Sequence, residues 1–550
     1  MDSFRERLSK KFWEPLDKLS SNPTVRWIYY SFSIIFFIAV ILLPLILGIL
    51  LKANLFGEIF ADPELMARAQ SAIVWSFIIA FTVSILDLLA GLPLAWFIVR
   101  SNSRWATVID SIADIPFIIP TAALGYSFLL FWSGSEGLST LFGVNSLIPP
   151  GVLLIMLLHF AFSFPVIVRV MVGELMSYRE TYEIAAKTLG AQPFTAVRTV
   201  TLPILKPALI ASFLLAFARS LSETGATVMV AGVFENGPVF IKNVKDAGLE
   251  GPMVFVSSIL IFLSITIFFA INTLGPRIKL PVRKAWPNLE RKLSSALSVK
   301  IRDCLTFAVF LSFVIIPSLF IILPITYAIT DGTLIKAISG VEPWNQFWGS
   351  MTLSYTIGIT ATAVNVILGL PVAILIARKK IGRATPILDA LVNIPIVIPS
   401  VALGVSLAIF WRTTLALPEM GALILSHTAI TYTYFVRAMS AAIQGIPQDM
   451  EEAASTLGSR PLAIFRKITF PLTKYSVFSG AILVFTRSVD ETGAAIAVSK
   501  ELKTAPVLLV DWVKGVTPAS TSDIALGIGF LVLISFTVLL TLRLIARWGR

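Results

Sequence analysis

The 550-residue chain has one cysteine, Cys304, and two histidines, His159 and His427. A single thiol excludes an intrachain disulfide, and so few sulfur and imidazole groups leave little material for a metal site. Charge is scarce as well, at 14% of residues against 56% hydrophobic, with a mean hydropathy of +0.85. That balance excludes an ordinary soluble domain. No GxxxxGK(S/T) stretch occurs, so a phosphate-cradling loop and an ATPase activity of the chain's own are not expected. No catalytic residues are expected either, because no carboxylate, histidine or cysteine cluster converges. A secretory signal is not expected, since the first 27 residues are too charged and the apolar run over 28–51 too long for a signal core.

Apolar runs long enough to cross a bilayer fill most of the chain. They centre on residues 28–51, 71–99, 112–133, 148–172, 204–233 and 252–274, then on 303–329, 349–377, 387–411, 420–437, 470–498 and 522–545. With a cytoplasmic N-terminus, the even-numbered gaps carry Arg100, Arg104, Arg179, Lys187, Arg198, Arg277, Lys279, Arg283, Lys284, Arg378, Lys379, Lys380 and Arg383. The odd gaps instead hold Glu58, Asp62, Glu64 and Glu136. Positive charge therefore lies inside, and the net +12 reports topology and not nucleic acid. The expected fold is an all-α polytopic membrane protein of about twelve spans with both termini cytoplasmic. Its divisions are a cytoplasmic or interfacial segment over 1–27, a first six-span half over 28–274, a cytoplasmic linker over 275–302 and a second half over 303–545. Within the first segment, Phe4, Leu8 and Phe12 recur among Arg5, Arg7, Lys10 and Lys11, which suits either a helix on the inner membrane surface or a free tail.

The halves repeat each other. IPFIIPTAALGYSFLLFW (115–132) aligns with IPIVIPSVALGVSLAIFW (394–411) at a spacing of 279, and GLPLAWFIVR (91–100) with GLPVAILIAR (369–378) at 278. AAKTLG (185–190) aligns with AASTLG (453–458), and SETGA (222–226) with DETGA (490–494), both at 268. His159 and His427 fall on that register, as do Arg169 and Arg437. Six spans is an even number, so the repeats insert the same way up, and the natural pathway is the interface between them.

The inward loop near 174–203 and its partner each read as two short helices. Gly190 and Gly458 stand where the first helix should stop in a left-handed cap, and Pro193 and Pro461 where the second should start. Pro203 and Pro471 then end that second helix or introduce the following span. Asp449, Glu451 and Glu452 suit the first turn of their helix, while Ala185, Ala186, Ala453 and Ala454 keep one face thin. A thin, rigid helix suits entry into a partner's groove.

The pattern Glu-Ala-Ala, three residues, then Gly, before the penultimate span of each half, resembles the signature of permease subunits of binding-protein-dependent ABC importers. The resemblance covers both halves. It implies that the loops dock two separate ATP-hydrolysing subunits, which hold ATP with Mg, that this chain binds no cofactor, and that an external solute-binding protein delivers cargo at the plasma or inner membrane. Glu452-Ala453-Ala454 through Gly458 fits fully. The first copy departs, with Ile184 in the acidic position and Glu183 one residue early, which implies unequal docking sites.

Charges interrupt two spans, Arg219 and Glu223 in the fifth and Arg487, Asp490 and Glu491 in the eleventh. Such groups mark a bundle interior or a wet path. Two readings stand, a structural ion pair holding the gate helices or direct contact with solute. Gly225 and Gly493 just beyond permit a close crossing or a bend. Each histidine suits a mid-helix hydrogen bond more readily than metal transport, and Pro116, Pro120, Pro395 and Pro399 suit kinks or breaks in the third and ninth spans. The segments SETGATVMVAG, DETGAAIAVS and IPxxIPxxALG resemble the branch importing ferric iron, thiamine, sulfate and molybdate. Fusion of the halves favours the ferric iron and thiamine members, whereas GATVMVAG leans toward molybdate or sulfate; ferric iron or a similar inorganic ion is placed slightly ahead of thiamine. An ion-gradient-driven secondary transporter with parallel repeats is the rival of another class, but such a carrier gains nothing obvious from the paired inward loops.

Overall fold

The computed structural model describes residues 13–101, 103–277 and 286–548, and every regular element among them is a helix. The amphipathic pattern of Phe4, Leu8 and Phe12, and the linker residues Lys279, Pro281, Arg283 and Lys284, lie outside the described residues. Among the described residues, nine helices are long and apolar enough to cross a membrane alone. In the first half these are Pro23–Leu51, Pro63–Arg100, Val152–Ser177, Pro193–Ser222 and Glu250–Leu274. In the second they are Ala296–Thr330, Trp344–Ala377, Pro461–Val489 and Thr521–Thr541.

Two further crossings are broken pairs. Arg104–Ile118 with Thr121–Ser133 bends by 98°, and Gly382–Val397 with Ser400–Thr414 by 102°. The bends fall at Ile119 and Ile398, whose ψ angles of 126° and 137° are extended. Each precedes a proline, and the proline ring disfavours helical geometry in the residue before it. Pro116 and Pro395 sit harmlessly in a first turn, so Pro120 and Pro399 make the breaks. The tenth span is longer than the 420–437 run suggests. Glu419–Gln444 has 26 residues, as many as Val152–Ser177. Its hydropathy is low because Ser426, His427, Thr428, Thr431 and Thr433 turn inward and are buried.

Spans two, four and five pack into one bundle, and spans eight, ten and eleven into its copy. The first span of each half leaves its own bundle and lies on the other. Phe37 stacks on Tyr432 at 5.3 Å between centroids, and Phe310 on Phe164 at 5.8 Å. Ser406 donates to the carbonyls of Pro44 and Leu45 at 2.9 and 2.7 Å, and Ser127, its counterpart, donates to that of Pro317 at 2.6 Å. π-Helical stretches Phe37–Leu42 and Phe310–Ile315 precede these prolines and accommodate the missing N–H and the ring.

The exchange continues to the cytoplasmic side. The helix over residues 13–21 lies on the second inward loop, where Ser20 accepts from the Leu462 N–H, Asp17 pairs with Arg466 and Trp13 lies under that guanidinium. The helix Pro287–Leu293 repeats this on the first loop. Ser294 accepts from Phe194 N–H, Glu290 pairs with Arg198 at 2.8 Å, and Trp286 lies under Arg198. Residues 286–294, read from sequence as linker, thus repeat the segment at 13–21. Crossed first spans and crossed braces make the two halves one body.

The crossing depends on contact without a side chain at Gly48, where a Cβ would collide with the Ser406 carbonyl. Gly48→Leu should lower stability by about 2 kcal/mol or more through overpacking, seen as a lower midpoint in detergent thermal-unfolding chromatography. Gly57→Leu, which meets open space, should leave that midpoint unchanged.

Candidate functional site: the axial crossing and the inward loops

The fifth and eleventh spans, read from sequence as the apolar runs 204–233 and 470–498 with room for a close crossing or a bend at Gly225 and Gly493, both stop early. Pro193–Ser222 ends before Glu223, whose backbone is extended, and a new helix starts at Gly225–Val230. Likewise Val489 ends one helix and Gly493–Val498 begins the next. The cause is local. Glu223 accepts from the Ala226 N–H at 3.3 Å and Glu491 from the Ala494 N–H at 3.2 Å, so each carboxylate caps the new N-terminus and favours its dipole. The cap is charged and buried, and a cation balances it: Arg219 pairs with Glu223 and Arg487 with Glu491, each at 2.8 Å. The four-residue spacing bridges a break in the helix instead of lying along one continuous face.

The two breaks meet at the pseudo-two-fold axis. A Cβ on Gly225 would lie 2.7 Å from the Thr492 side chain, and one on Gly493 would lie 2.6 Å from Thr224 Oγ1. Only hydrogen fits there. Glu223, Thr224, Gly225, Glu491, Thr492 and Gly493 are all buried, so this crossing plugs the axis. The short helices rest on the broken spans, since a Cβ on Gly125 would lie 2.8 Å from Ala226 Cα and one on Gly404 2.6 Å from Ala494 Cα. Bonds from the broken spans finish the plug. Thr121 donates its N–H to Asp490 at 2.8 Å, while Ser400 donates its hydroxyl to the Ser222 carbonyl at 3.1 Å.

Behind the plug the halves diverge. His159 bonds Ser220 through Nδ1 and Thr227 through Nε2, both at 2.8 Å. His427 keeps Ser488 at 3.0 Å, but Ala495 replaces the second hydroxyl and its Nε2 has no partner among the described residues. Both histidines therefore do the work of mid-helix hydrogen bonds. Among the described residues no group of three or more His, Cys, Asp or Glu is arranged to hold a metal. Sequence reasoning missed Asp87, fully buried in the second span and bonded to Ser163, with one oxygen unpartnered among the described residues. Its counterpart is Asn365, which bonds Thr431 at 2.8 Å. An acid in the middle of an otherwise apolar stretch of that 38-residue helix was the available signal.

On the cytoplasmic face each inward loop opens with a short helix, Thr181–Thr188 or Gln448–Thr456. Gly190 at φ 91° and Gly458 at φ 82° then take the left-handed cap that side chains resist. Pro193 and Pro461 start the next helix at its first turn. That helix does not stop at Pro203 or Pro471. It runs on as the fifth or eleventh span through π stretches Val197–Thr201 and Phe465–Thr469, so loop and gate helix form one continuous rod.

The anchoring acid differs from the one singled out in the motif. Glu452 is exposed, beyond the first turn, and among the described residues is bonded only to Gln448. Ile184 at the matching position is exposed too. The acids that turn inward are Glu183 and Glu451, 268 residues apart and so present in both copies. Arg378 grips Glu451 through two bonds of 3.2 and 2.9 Å, and Thr469 adds a third at 2.8 Å. Glu183 has Lys187 at 2.7 Å, Arg100 at 3.7 Å and Thr201 at 3.3 Å. Arg100 and Arg378 were counted in the sequence only as inward charge. Their repetition next to the loop was the missed signal. Ala185, Ala186, Ala453 and Ala454 lie along the same short helices, and the tips are apolar and bare, Leu189 at 89% exposure and Leu457 at 86%.

Two parallel repeats meeting at a plugged axis, with rigid loops on the positive-inside face, define a multi-pass permease of the plasma membrane. The family described as binding-protein-dependent transport system inner membrane component matches twice, over residues 87–280 and 369–550, and the chain belongs to that family. The sulfate transport system permease proteins CysT of Salmonella typhimurium and Escherichia coli are 28% and 29% identical to it, each over 44% of this chain and 90% of its own length. The molybdenum transport system permease protein ModB of Mycobacterium tuberculosis is 32% identical over 28% of this chain and 66% of its own length. One such relative thus corresponds to about half of this chain. These names give the preference for ferric iron no support.

Removing the carboxylate that Arg378 holds strands a largely buried guanidinium, whereas Glu452 is exposed and accepts from Gln448. Glu451→Gln should therefore cut ATP-driven uptake in proteoliposomes about tenfold or more, equivalent to roughly 1.4 kcal/mol. Glu452→Ala should stay within about twofold, as exposed substitutions do.

Proposed function

We propose that the chain forms the whole translocation path of an ATP-driven importer for a small tetrahedral oxyanion, sulfate or molybdate, with both permease halves fused in one polypeptide. The observation that carries this reading is the double family match, one per half, to relatives that are named for sulfate and molybdenum. Leu189 and Leu457, held on rigid short helices, are the contacts offered to two ATP-hydrolysing subunits. ATP and Mg stay on those subunits, and this chain contributes no catalysis. Because each loop is continuous with a gate helix, a displacement of its tip is passed to Glu223 or Glu491. Opening then requires the Thr224–Gly225 and Thr492–Gly493 crossing to part while both ion pairs stay intact. An external solute-binding protein delivers the anion, and it sets most of the selectivity.

Two measurements test this. Gly190→Asp combined with Gly458→Asp should abolish uptake by strained caps and misplaced tips while leaving membrane insertion intact. Uptake that survives the change and proceeds without ATP would overturn the importer reading in favour of a gradient-driven carrier. The cognate solute-binding protein should retain sulfate or molybdate; retention of thiamine or ferric iron instead would overturn the oxyanion assignment.

A further inference from the structure

A cavity of about 450 Å³ opens on the outer side where the first half meets the second. Four cations line it from four segments: Lys52 at the end of the first span, Lys245 on the helix Gly237–Asp246, Arg412 at the end of the ninth span, and Lys500. One carboxylate, Glu250, lines it as well and pairs with Lys52 at 2.9 Å. This excess of positive charge sits on the face where the odd gaps are otherwise poor in lysine and arginine. Topology therefore does not explain it.

Nor does the duplication. On the registers that pair Pro44 with Pro317, Ser127 with Ser406 and Ser222 with Asp490, the counterparts of Lys52, Lys245, Arg412 and Lys500 are Ile325, Val513, Ser133 and Gly232. All four cations are absent from the symmetric position. The cavity is a one-sided feature built into a two-fold scaffold.

Its charges are held in place. Lys245 donates to the carbonyls of Ile496 and Ser499, capping the C-terminus of Gly493–Val498. Arg412 donates to the Val498 carbonyl at 3.0 Å and pairs with Glu419 at 3.3 Å. Glu419 in turn accepts from the backbone of Lys500, Glu501 and Leu502, which fixes that loop. The Lys500 ammonium is exposed and has no ion-pair partner among the described residues. Lys245 lies outside the membrane-spanning segments, and burial pulls it down to about 8, with Asp246 opposing, Lys500 adding to the fall, Glu419 opposing and Arg412 adding. A bound anion would oppose that fall.

The cavity wall is shared with the gate. Val405, Ala408 and Ile409 come from the broken ninth span, and Ala497 and Val498 from the helix that Gly493 begins. Ala497 lies four residues beyond Gly493, about 6 Å outward along that helix. We propose that this cavity is an external oxyanion-binding site, where one tetrahedral anionic group is held by Lys245, Arg412 and Lys500 directly above the axial crossing. Occupation places negative charge against the C-terminal end of a gate helix, so the site is both an entry station and a sensor of arriving cargo.

The inference rests on the oxyanion reading, and the two fail separately. The full chain in phosphatidylcholine nanodiscs should retain radiolabelled sulfate or molybdate. Lys245→Gln with Arg412→Gln should weaken retention about tenfold or more through loss of charge-assisted hydrogen bonds. The exposed change Lys500→Glu should weaken it similarly without touching the fold, and Lys336→Gln, an exposed cation elsewhere, should not. Retention of added phosphatidylglycerol in place of the free anions, lost in the same variants, would identify a lipid phosphate as the occupant of the same site. Retention of neither, or retention indifferent to all three site cations, overturns the site. If the assembled importer moves sulfate or molybdate while Lys500→Glu and the double variant transport at wild-type rates, the site fails and the oxyanion reading stands. If the wild-type importer moves neither anion, the oxyanion reading itself fails.

Discussion

A helix interrupted inside a membrane exposes backbone groups that no water can satisfy, and the arrangement at Glu223 and Glu491 depends on meeting that constraint. Each glutamate caps the helix that follows the break, and each needs an arginine one turn earlier to balance its charge. Cap and counter-ion together make a sharp break affordable in hydrocarbon. Because the breaks are short, the two restarted helices can approach until Gly225 meets Thr492 and Gly493 meets Thr224. A continuous helix at either place would hold the halves apart, and the axis would have no plug.

The cytoplasmic ends are organised by the same device of a buried acid held by an arginine. Glu451 with Arg378 ties the second inward helix to the end of the eighth span, and Glu183 reaches Arg100 at the end of the second. The braces from residues 13–21 and Pro287–Leu293 then bind each loop from the opposite half. A push on one loop therefore bears on both halves. The π stretches that carry each loop into its gate helix keep that route rigid past Pro203 and Pro471, where the sequence suggested a joint.

Identity of scaffold does not mean identity of the two halves. Thr227 becomes Ala495 beside the histidines, Ser222 becomes Asp490 beside the broken spans, and Asp87 becomes Asn365 behind them. Each change alters which polar group is satisfied and leaves the backbone path alone. The expected inequality of the loops, located at Ile184 against Glu452, instead falls on exposed positions, and the internal anchor is the repeated pair Glu183 and Glu451.

The sequence by itself determined the all-helical, many-span class, the inward side, the duplication, a kink or break at the proline pairs of the third and ninth spans and the caps at Gly190 and Gly458. These follow from hydropathy, charge bias and backbone restrictions, which act over a few residues and leave a local trace. Only the tertiary structure decided that first spans exchange bundles, that the fifth and eleventh spans break at a charged cap, and that Glu451, not Glu452, turns inward. It also decided that four cations from separate segments line one cavity. In each case the physical cause is a contact between residues far apart in the chain, such as Ser406 with Pro44 or Lys245 with Ser499, and such a contact has no periodicity to read.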